Sequence, residues 1–197
     1  MTRALVVYCH PSAGSFVEAV RNSALAGLDR AGAEVRVEDL YADGFDPAFS
    51  EEEWRRHLEP GADPAVTPYA HDLAWADTLV LVYPTWWSGQ PAMLKGWIDR
   101  VWVSGVAWDL PEGANKLRPR LDNIRRIVAV TTHGSSKLVN SLEGEGGKRT
   151  VTRSLRSMCH RRARTSWLAL YGVDSSTPDE RAAFLTRVED RLAALAR

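Results

Sequence analysis

The chain has 197 residues, and its 25 basic and 25 acidic side chains leave a formal net charge of zero. With 45% apolar and 25% charged residues it reads as a globular chain able to bury a core, and a neutral balance gives no bulk electrostatic case for nucleic acid or an anionic membrane surface. No apolar run approaches the ~20 residues of a membrane-spanning helix, and the apolar run that follows Arg3 is shorter than that of a secretory signal.

A single domain over residues 1–197, in a cytoplasmic protein with no membrane span, is therefore expected. The two cysteines, Cys9 and Cys159, form neither a CxxC pair nor a metal spacing, and the five histidines show no i, i+4 pairing. Both thiols are expected to be reduced, and no metal site is expected.

The elements alternate between strand and helix. Ala4–Cys9 is a continuous apolar run, as in a strand buried on both faces of a parallel sheet. Ser15 and Glu18 read as a capping box that opens a helix to about Ala31, with Gly32 as its stop. Glu34–Leu40 alternates as a less buried second strand. Ser50 and Glu53 make a second capping box for a short helix. Residues 59–68 carry three prolines and read as an excursion loop. A helix over 69–76 leads into a third strand, Thr78–Tyr83. Pro91 suits the first position of a helix that runs to about Val103. Residues 106–123 read as irregular, and Arg126–Thr132 as the fourth strand. Lys148–Arg162 reads as a helix with Val151, Leu155 and Met158 on one face. Ser166–Tyr171 is the fifth strand, and Thr177 to Glu180 is a third capping box, with Pro178 at its first helical position.

Five strands joined by helices imply an α/β fold with a doubly wound parallel sheet and helices on both faces. The loop after the first strand lacks GxGxxG, so the flavodoxin-like strand order 2-1-3-4-5 is expected rather than a dinucleotide-binding Rossmann domain.

In that topology the loops after strands one, three and four meet at one crevice, and each carries unusual residues. The first is His10-Pro11-Ser12-Ala13-Gly14-Ser15-Phe16, which ends at a helix N-terminus where free amides favour an anion such as phosphate. The second is Pro84-Thr85-Trp86-Trp87-Ser88-Gly89. Two adjacent indoles on a short strand-to-helix loop cannot both enter one core, and the loop amides suit the edge of a flat heteroaromatic ring. The third is Thr131-Thr132-His133-Gly134-Ser135-Ser136, a polar cradle of hydroxyls and a glycine in which His133 offers partial positive charge beside a ring that gains electrons. Each loop alone has an ordinary structural explanation: a helix cap, an aromatic core or dimer contact, a solvated histidine. Together they describe a site for a planar ring with a phosphate tail.

These residues resemble the flavodoxin-like NAD(P)H:quinone oxidoreductase family. The likeness lies in His10-Pro11 with Ser15-Phe16, in Pro84–Trp102 with its helix Leu94-Lys95-Gly96-Trp97-Ile98-Asp99-Arg100-Val101, and in Thr131-Thr132-x-Gly134, with their spacing preserved. The resemblance implies a homodimeric enzyme that binds FAD, or alternatively FMN, takes electrons from NAD(P)H and reduces quinones or related nitro and azo electrophiles by two electrons in a ping-pong cycle. It implies that His10, Ser15 and Phe16 hold the phosphate or diphosphate end, with Val17 as the next cofactor-binding position. Pro84, Thr85, Trp86, Trp87 and Ser88 would line the ring's edge and face, and Thr131, Thr132, His133 and Gly134 its pyrimidine side. Val17 stands where the mammalian branch has an asparagine. The tyrosine and histidine that assist charge transfer there are missing from Lys137–Gly147, which makes His133 the candidate for that role. The other readings are a regulatory flavoprotein subunit controlling a partner such as a channel, and an electron carrier; the zero net charge argues against the acidic face of a carrier.

Residues 147–172 contain no acidic side chain but carry Lys148, Arg149, Arg153, Arg156, Arg161, Arg162 and Arg164. Arg149, Arg153 and Arg156 share a helical stripe that reads either as a solvated face or as an attractor for cofactor phosphates. The run Gly144-Glu145-Gly146-Gly147-Lys148-Arg149 fails as a P-loop, because the first glycine and the hydroxyl after lysine are both missing.

Overall fold

The computed structural model describes residues 1–196. Its parallel sheet is built from β1 (Arg3–Tyr8), β2 (Glu34–Asp39), β3 (Thr78–Pro84), β4 (Arg126–His133) and β5 (Arg164–Tyr171). Their order is β2-β1-β3-β4-β5, with every neighbouring pair parallel, which is the expected 2-1-3-4-5 topology.

The alternation of side chains along each strand builds two cores. Leu5, Val7, Leu79, Leu81, Ile127 and Ala129 face one side, where they pack with helices α3 (Thr67–Trp75) and α4 (Ala92–Val101). Ala4, Val6, Val80, Val82, Val128 and Val130 face the other, against α1 (Phe16–Arg30) and α7 (Pro178–Ala193). The two helices α1 and α7 lie so close that a Cβ on Gly27 would sit 2.3 Å from the Glu189 carbonyl oxygen. A Cβ on Gly96 of α4 would likewise fall 2.3 Å from the Pro47 carbonyl oxygen, which explains why the Leu94–Val101 motif has glycine there.

Several boundaries differ from the sequence reading. The Ser15–Glu18 box is only half made: Ser15 Oγ accepts from the Glu18 N–H at 3.2 Å, but the Glu18 carboxylate accepts from Gly14 N at 2.6 Å and pairs with Arg21. The boxes at Ser50–Glu53 and Thr177–Glu180 are complete. Pro91 caps α4 rather than opening it, with ψ of 149°. Residues 106–123 include a two-stranded antiparallel pairing of Trp108–Asp109 with Arg118–Pro119. The helix expected from Lys148 begins at Gly146 as α6 (Gly146–Arg149), widens to a π-helix over Thr150–Leu155 and stops short of Arg162. It is preceded by α5 (Lys137–Leu142), which the sequence reading lacks. Cys9 and Cys159 are buried free thiols, each pushed up to about 12 by desolvation. Among the described residues no helix is long and apolar enough to cross a membrane.

Candidate active site

The carboxyl ends of β1, β3 and β4 converge on one pocket of about 670 Å³. This is where open α/β sheets place ligands, at the reversal of strand order. His10, Ser15, Phe16, Val17, Pro84, Thr85, Trp86, Trp87, Thr132 and Gly134 line it, so the structure brings ten of the thirteen expected residues together. Ser88, Thr131 and His133 are not in its wall.

Strand parity sorts the third loop. Thr132 and Gly134 face the pocket, while Thr131 and His133, one residue out of phase, turn inward and are buried. The His133 ring stacks on Tyr171, with centroids 4.5 Å apart and planes at 23°. Its Nδ1 lies 2.7 Å from Asn140 Oδ1 and its Nε2 3.4 Å from Thr85 Oγ1. Burial lowers the pKa of the imidazole, against a smaller opposing effect of the Asn140 hydrogen bond. His133 therefore meets the pocket only through Thr85, whose hydroxyl also lies 2.8 Å from that of Thr131. The picture of His133 as a solvated loop residue does not hold.

The second loop is a tight turn closed by reciprocal backbone hydrogen bonds between Trp86 and Gly89. Trp87 and Ser88 occupy its corners with φ of 48° and 58°, a left-handed conformation that costs a bulky residue free energy. Trp86 is 44% exposed and Trp87 fully exposed, so neither indole belongs to a core. The turn is held from outside the pocket: the Ser88 carbonyl accepts from Gly147 N at 2.7 Å, the Ser88 hydroxyl bonds Glu143, and Gln90 donates to the Gly147 carbonyl at 2.9 Å. That is the place of Ser88.

In the first loop His10 Nδ1 is engaged by the Ser12 backbone at 3.1 Å, which fixes the ring at the pocket edge. Ser12 is exposed and bonds its neighbour's carbonyl. Ser15 caps α1 through the Glu18 amide, leaving the first two amides of the helix, those of Phe16 and Val17, with no acceptor in the described chain. The amides of Trp87, Ser88, Gly134 and Ser135 also lack an acceptor there. Unpaired donors thus gather at both ends of a cavity walled by Phe16, Trp86 and Trp87. An anion fits the helix end and a flat acceptor-rich ring the aromatic end.

Ser135, at the end of the third loop, also lines the wall, and three further wall residues escaped sequence reasoning: Val173, Asp174 and Arg181. These three come from beyond β5, and no motif ties them to the other loops. Arg181 lies over the Phe16 ring at 5.6 Å and is braced by Ser176 Oγ at 2.8 Å and the Val173 carbonyl at 3.0 Å. Arg149, Arg153 and Arg156 do not reach this pocket; Arg156 is turned to the carbonyls of Arg161 and Ala163.

The model of the family described as "Flavodoxin-like fold" matches residues 2–195. NAD(P)H dehydrogenase [quinone] 1 of Cavia porcellus is 30% identical over 168 residues, which are 77% of this chain and 60% of that protein. The chain thus spans under two thirds of the length of that relative. "Uncharacterized NAD(P)H oxidoreductase YcaK" of Escherichia coli is 30% identical over 80% of this chain and 76% of its own. Among solved structures, the NAD(P)H:quinone oxidoreductase from Methanothermobacter marburgensis superposes with a TM-score of 0.84 at 25% identity, covering 100% of this chain and 98% of that one. The family model spans nearly the whole chain and shows that the chain belongs to the family described as "Flavodoxin-like fold", among whose relatives here are proteins named NAD(P)H oxidoreductase and NAD(P)H:quinone oxidoreductase.

Proposed function

We propose that the chain is a flavin-dependent NAD(P)H oxidoreductase that reduces quinones, or related nitro and azo electrophiles, by two electrons in a ping-pong cycle. The observation that carries this reading is the set of unpaired amides at Phe16, Val17, Trp87, Ser88, Gly134 and Ser135 around one aromatic-walled pocket. A bound flavin supplies the hydride chemistry between donor and acceptor.

The chain's own residues bind and orient. The α1 amides, with the dipole of a 15-residue helix behind them, hold phosphate, and Arg181 adds a guanidinium at the same end. Val17 contributes its amide, so a hydrophobic side chain in place of asparagine does not remove the phosphate site. The free amides of Trp87, Ser88, Gly134 and Ser135 would give fixed donors to a ring that gains negative charge on reduction. The hydroxyls of Thr85 and Thr132 are polar contacts beside them. Trp86 and Trp87 form the open wall against which nicotinamide and quinone bind in turn, and a second copy of the chain closes that wall in a homodimer.

The relatives' names support NAD(P)H as donor and quinones as acceptors. The extension of the pocket past the helix end to Val173, Asp174 and Arg181 supports FAD over FMN. Mass spectrometry of the group released by heat checks both parts. FAD is expected; FMN would overturn the choice of flavin, and failure to bind any added flavin would overturn the function.

A further inference from the structure

We propose a second, anion-selective site at the opposite end of the sheet, built to take a compact solute that carries two or three linked phosphate groups. A cleft of about 490 Å³ lies at the amino ends of the strands, and Arg125, Arg126, Arg162 and Arg164 stand in its wall. Arg126 and Arg164 are direct partners in the β4–β5 ladder, so their side chains leave neighbouring strands at the same level. Like charges directly opposite across a sheet repel. Arg162 is two residues from Arg164, and Arg125 adjoins Arg126.

None of these four guanidinium groups makes an ion pair among the described residues, where nine other basic side chains are paired. No hydrogen bond from their side chains to the described residues relieves them either. The one carboxylate in the wall is Asp77, and it is used locally: its Oδ2 accepts from the Arg3 N–H at 3.0 Å and its Oδ1 from the Thr78 hydroxyl at 2.8 Å. Four arginines against the single carboxylate of Asp77 leave this cleft an excess of positive charge in a chain of zero net charge, screened in part because Arg125, Arg162 and Arg164 are exposed. A multivalent anion removes that excess.

The ligand class follows from the lining. Guanidinium forks match phosphate oxygens two at a time, and four of them match a di- or triphosphate better than a single phosphate. The wall contains no aromatic ring to stack a base, so recognition is of the phosphate chain itself. Inorganic tripolyphosphate and the phosphate tail of a nucleoside triphosphate offer the same chemistry. The site lies at the far end of the sheet from the aromatic pocket and does not depend on the flavin reading.

Calorimetric titration of the full chain at about 0.15 M salt tests the proposal, with tripolyphosphate, ATP, sulfate and an Asp-rich peptide as separate probes. Tripolyphosphate is expected to bind saturably with one site and to raise the melting temperature. ATP binding equally well names the nucleotide tail as a sufficient ligand, and ATP failing while tripolyphosphate binds restricts the site to the inorganic chain; both outcomes support it. The double variant Arg126→Gln/Arg164→Gln is expected to lose affinity by roughly tenfold or more, and to melt higher than the parent without ligand, because the repulsion is gone. Arg149→Gln/Arg153→Gln is expected to change neither. No saturable tripolyphosphate binding, unchanged affinity in Arg126→Gln/Arg164→Gln, or preference for the Asp-rich peptide would each overturn the proposal. The rise in unliganded melting temperature separates loss of a site from misfolding.

Discussion

Asn140 Oδ1 lies 2.7 Å from His133 Nδ1, and Asn140 donates its amide hydrogens to the carbonyls of Ser135 and Ser136 at 3.3 and 2.8 Å. With both amide hydrogens committed, its oxygen can only accept, so the imidazole proton sits on Nδ1 and Nε2 faces the Thr85 hydroxyl as an acceptor. His133 is thus a buried, neutral strut. Burial lowers its pKa, so the unfolded chain binds the proton more readily than the folded one. The stability it contributes is present above the ordinary histidine pKa of 6.5 and is lost as pH falls through the lower folded value. His133→Ala should cost about 2 kcal/mol by leaving Asn140 unpaired and Tyr171 unstacked. It should also flatten the acid side of a melting-temperature profile below pH 6.5. A variant with unchanged stability and a large loss in rate would place the imidazole in the chemistry instead.

Trp87 has the opposite character. It is fully exposed, with φ of 48°, so it adds strain without burial. Trp87→Gly should leave the fold intact and stabilise it by about 1 kcal/mol, while raising the quinone KM severalfold through loss of an aromatic wall. Steady-state kinetics beside a thermal melt checks both signs. A loss of stability would mean that the indole packs against something more than the pocket.

The motif helix α4 carries a buried ion pair. Arg100 Nε lies 2.6 Å from Glu53 Oε1, both side chains are under 10% exposed, and Arg100 Nη1 also bonds the Asp46 carbonyl at 2.5 Å. Glu53 is the residue that closes the capping box of α2 (Glu51–Arg56), so one carboxylate holds a helix start and a helix-to-helix contact. Arg100→Met should cost about 3–5 kcal/mol by stranding Glu53. Pairing it with Glu53→Met should recover part of that loss, as read from denaturant midpoints in a double-mutant cycle.

Glu38 is buried in the core beneath β2, and neither of its oxygens makes a hydrogen bond. The Trp97 indole is the polar group beside it, and its N–H is unpaired as well. Desolvation, with Asp72 adding repulsion, raises the pKa of Glu38 to about 9. The unfolded chain ionises first, at 4.5, so the stability present below that value is lost as pH rises towards 9. Glu38→Gln removes the titration. Its melting temperature should match the parent near pH 4.5 and exceed it by several degrees at pH 8. Equal melting temperatures at both pH values would contradict a buried neutral carboxyl.

The strand order was legible because Ala4–Cys9, Leu79–Tyr83 and Ile127–Val130 are continuous apolar runs, as strands covered on both faces of a parallel sheet have, and helical segments alternate with them. The three loops were legible because each follows such a strand. The inward turn of Thr131 and His133 was in reach of the same period-two argument, since Val130 and Thr132 share one face and Thr131 and His133 the other. Helix α5 was not read although Leu138, Val139 and Leu142 form an i, i+1, i+4 pattern: six residues are too short for a clear period, and the stripe is exposed rather than packed on the core. The π-helical turn at Thr150–Leu155 keeps Val151 and Leu155 buried at a spacing that an α-helix also satisfies. Arg181 joins the pocket because α7 packs back along α1, and Asp174 because the turn Val173–Ser175 follows β5 at the same sheet edge, tertiary facts with no local sign.

The most direct test of the account is an anaerobic titration of the flavin-loaded protein with NADPH in a spectrophotometer. One equivalent of NADPH per flavin should bleach the oxidised absorbance in a single two-electron phase, and one equivalent of menadione should restore it. Protein that takes up flavin but is neither bleached by NADPH or NADH nor reoxidised by a quinone would contradict the proposed enzyme.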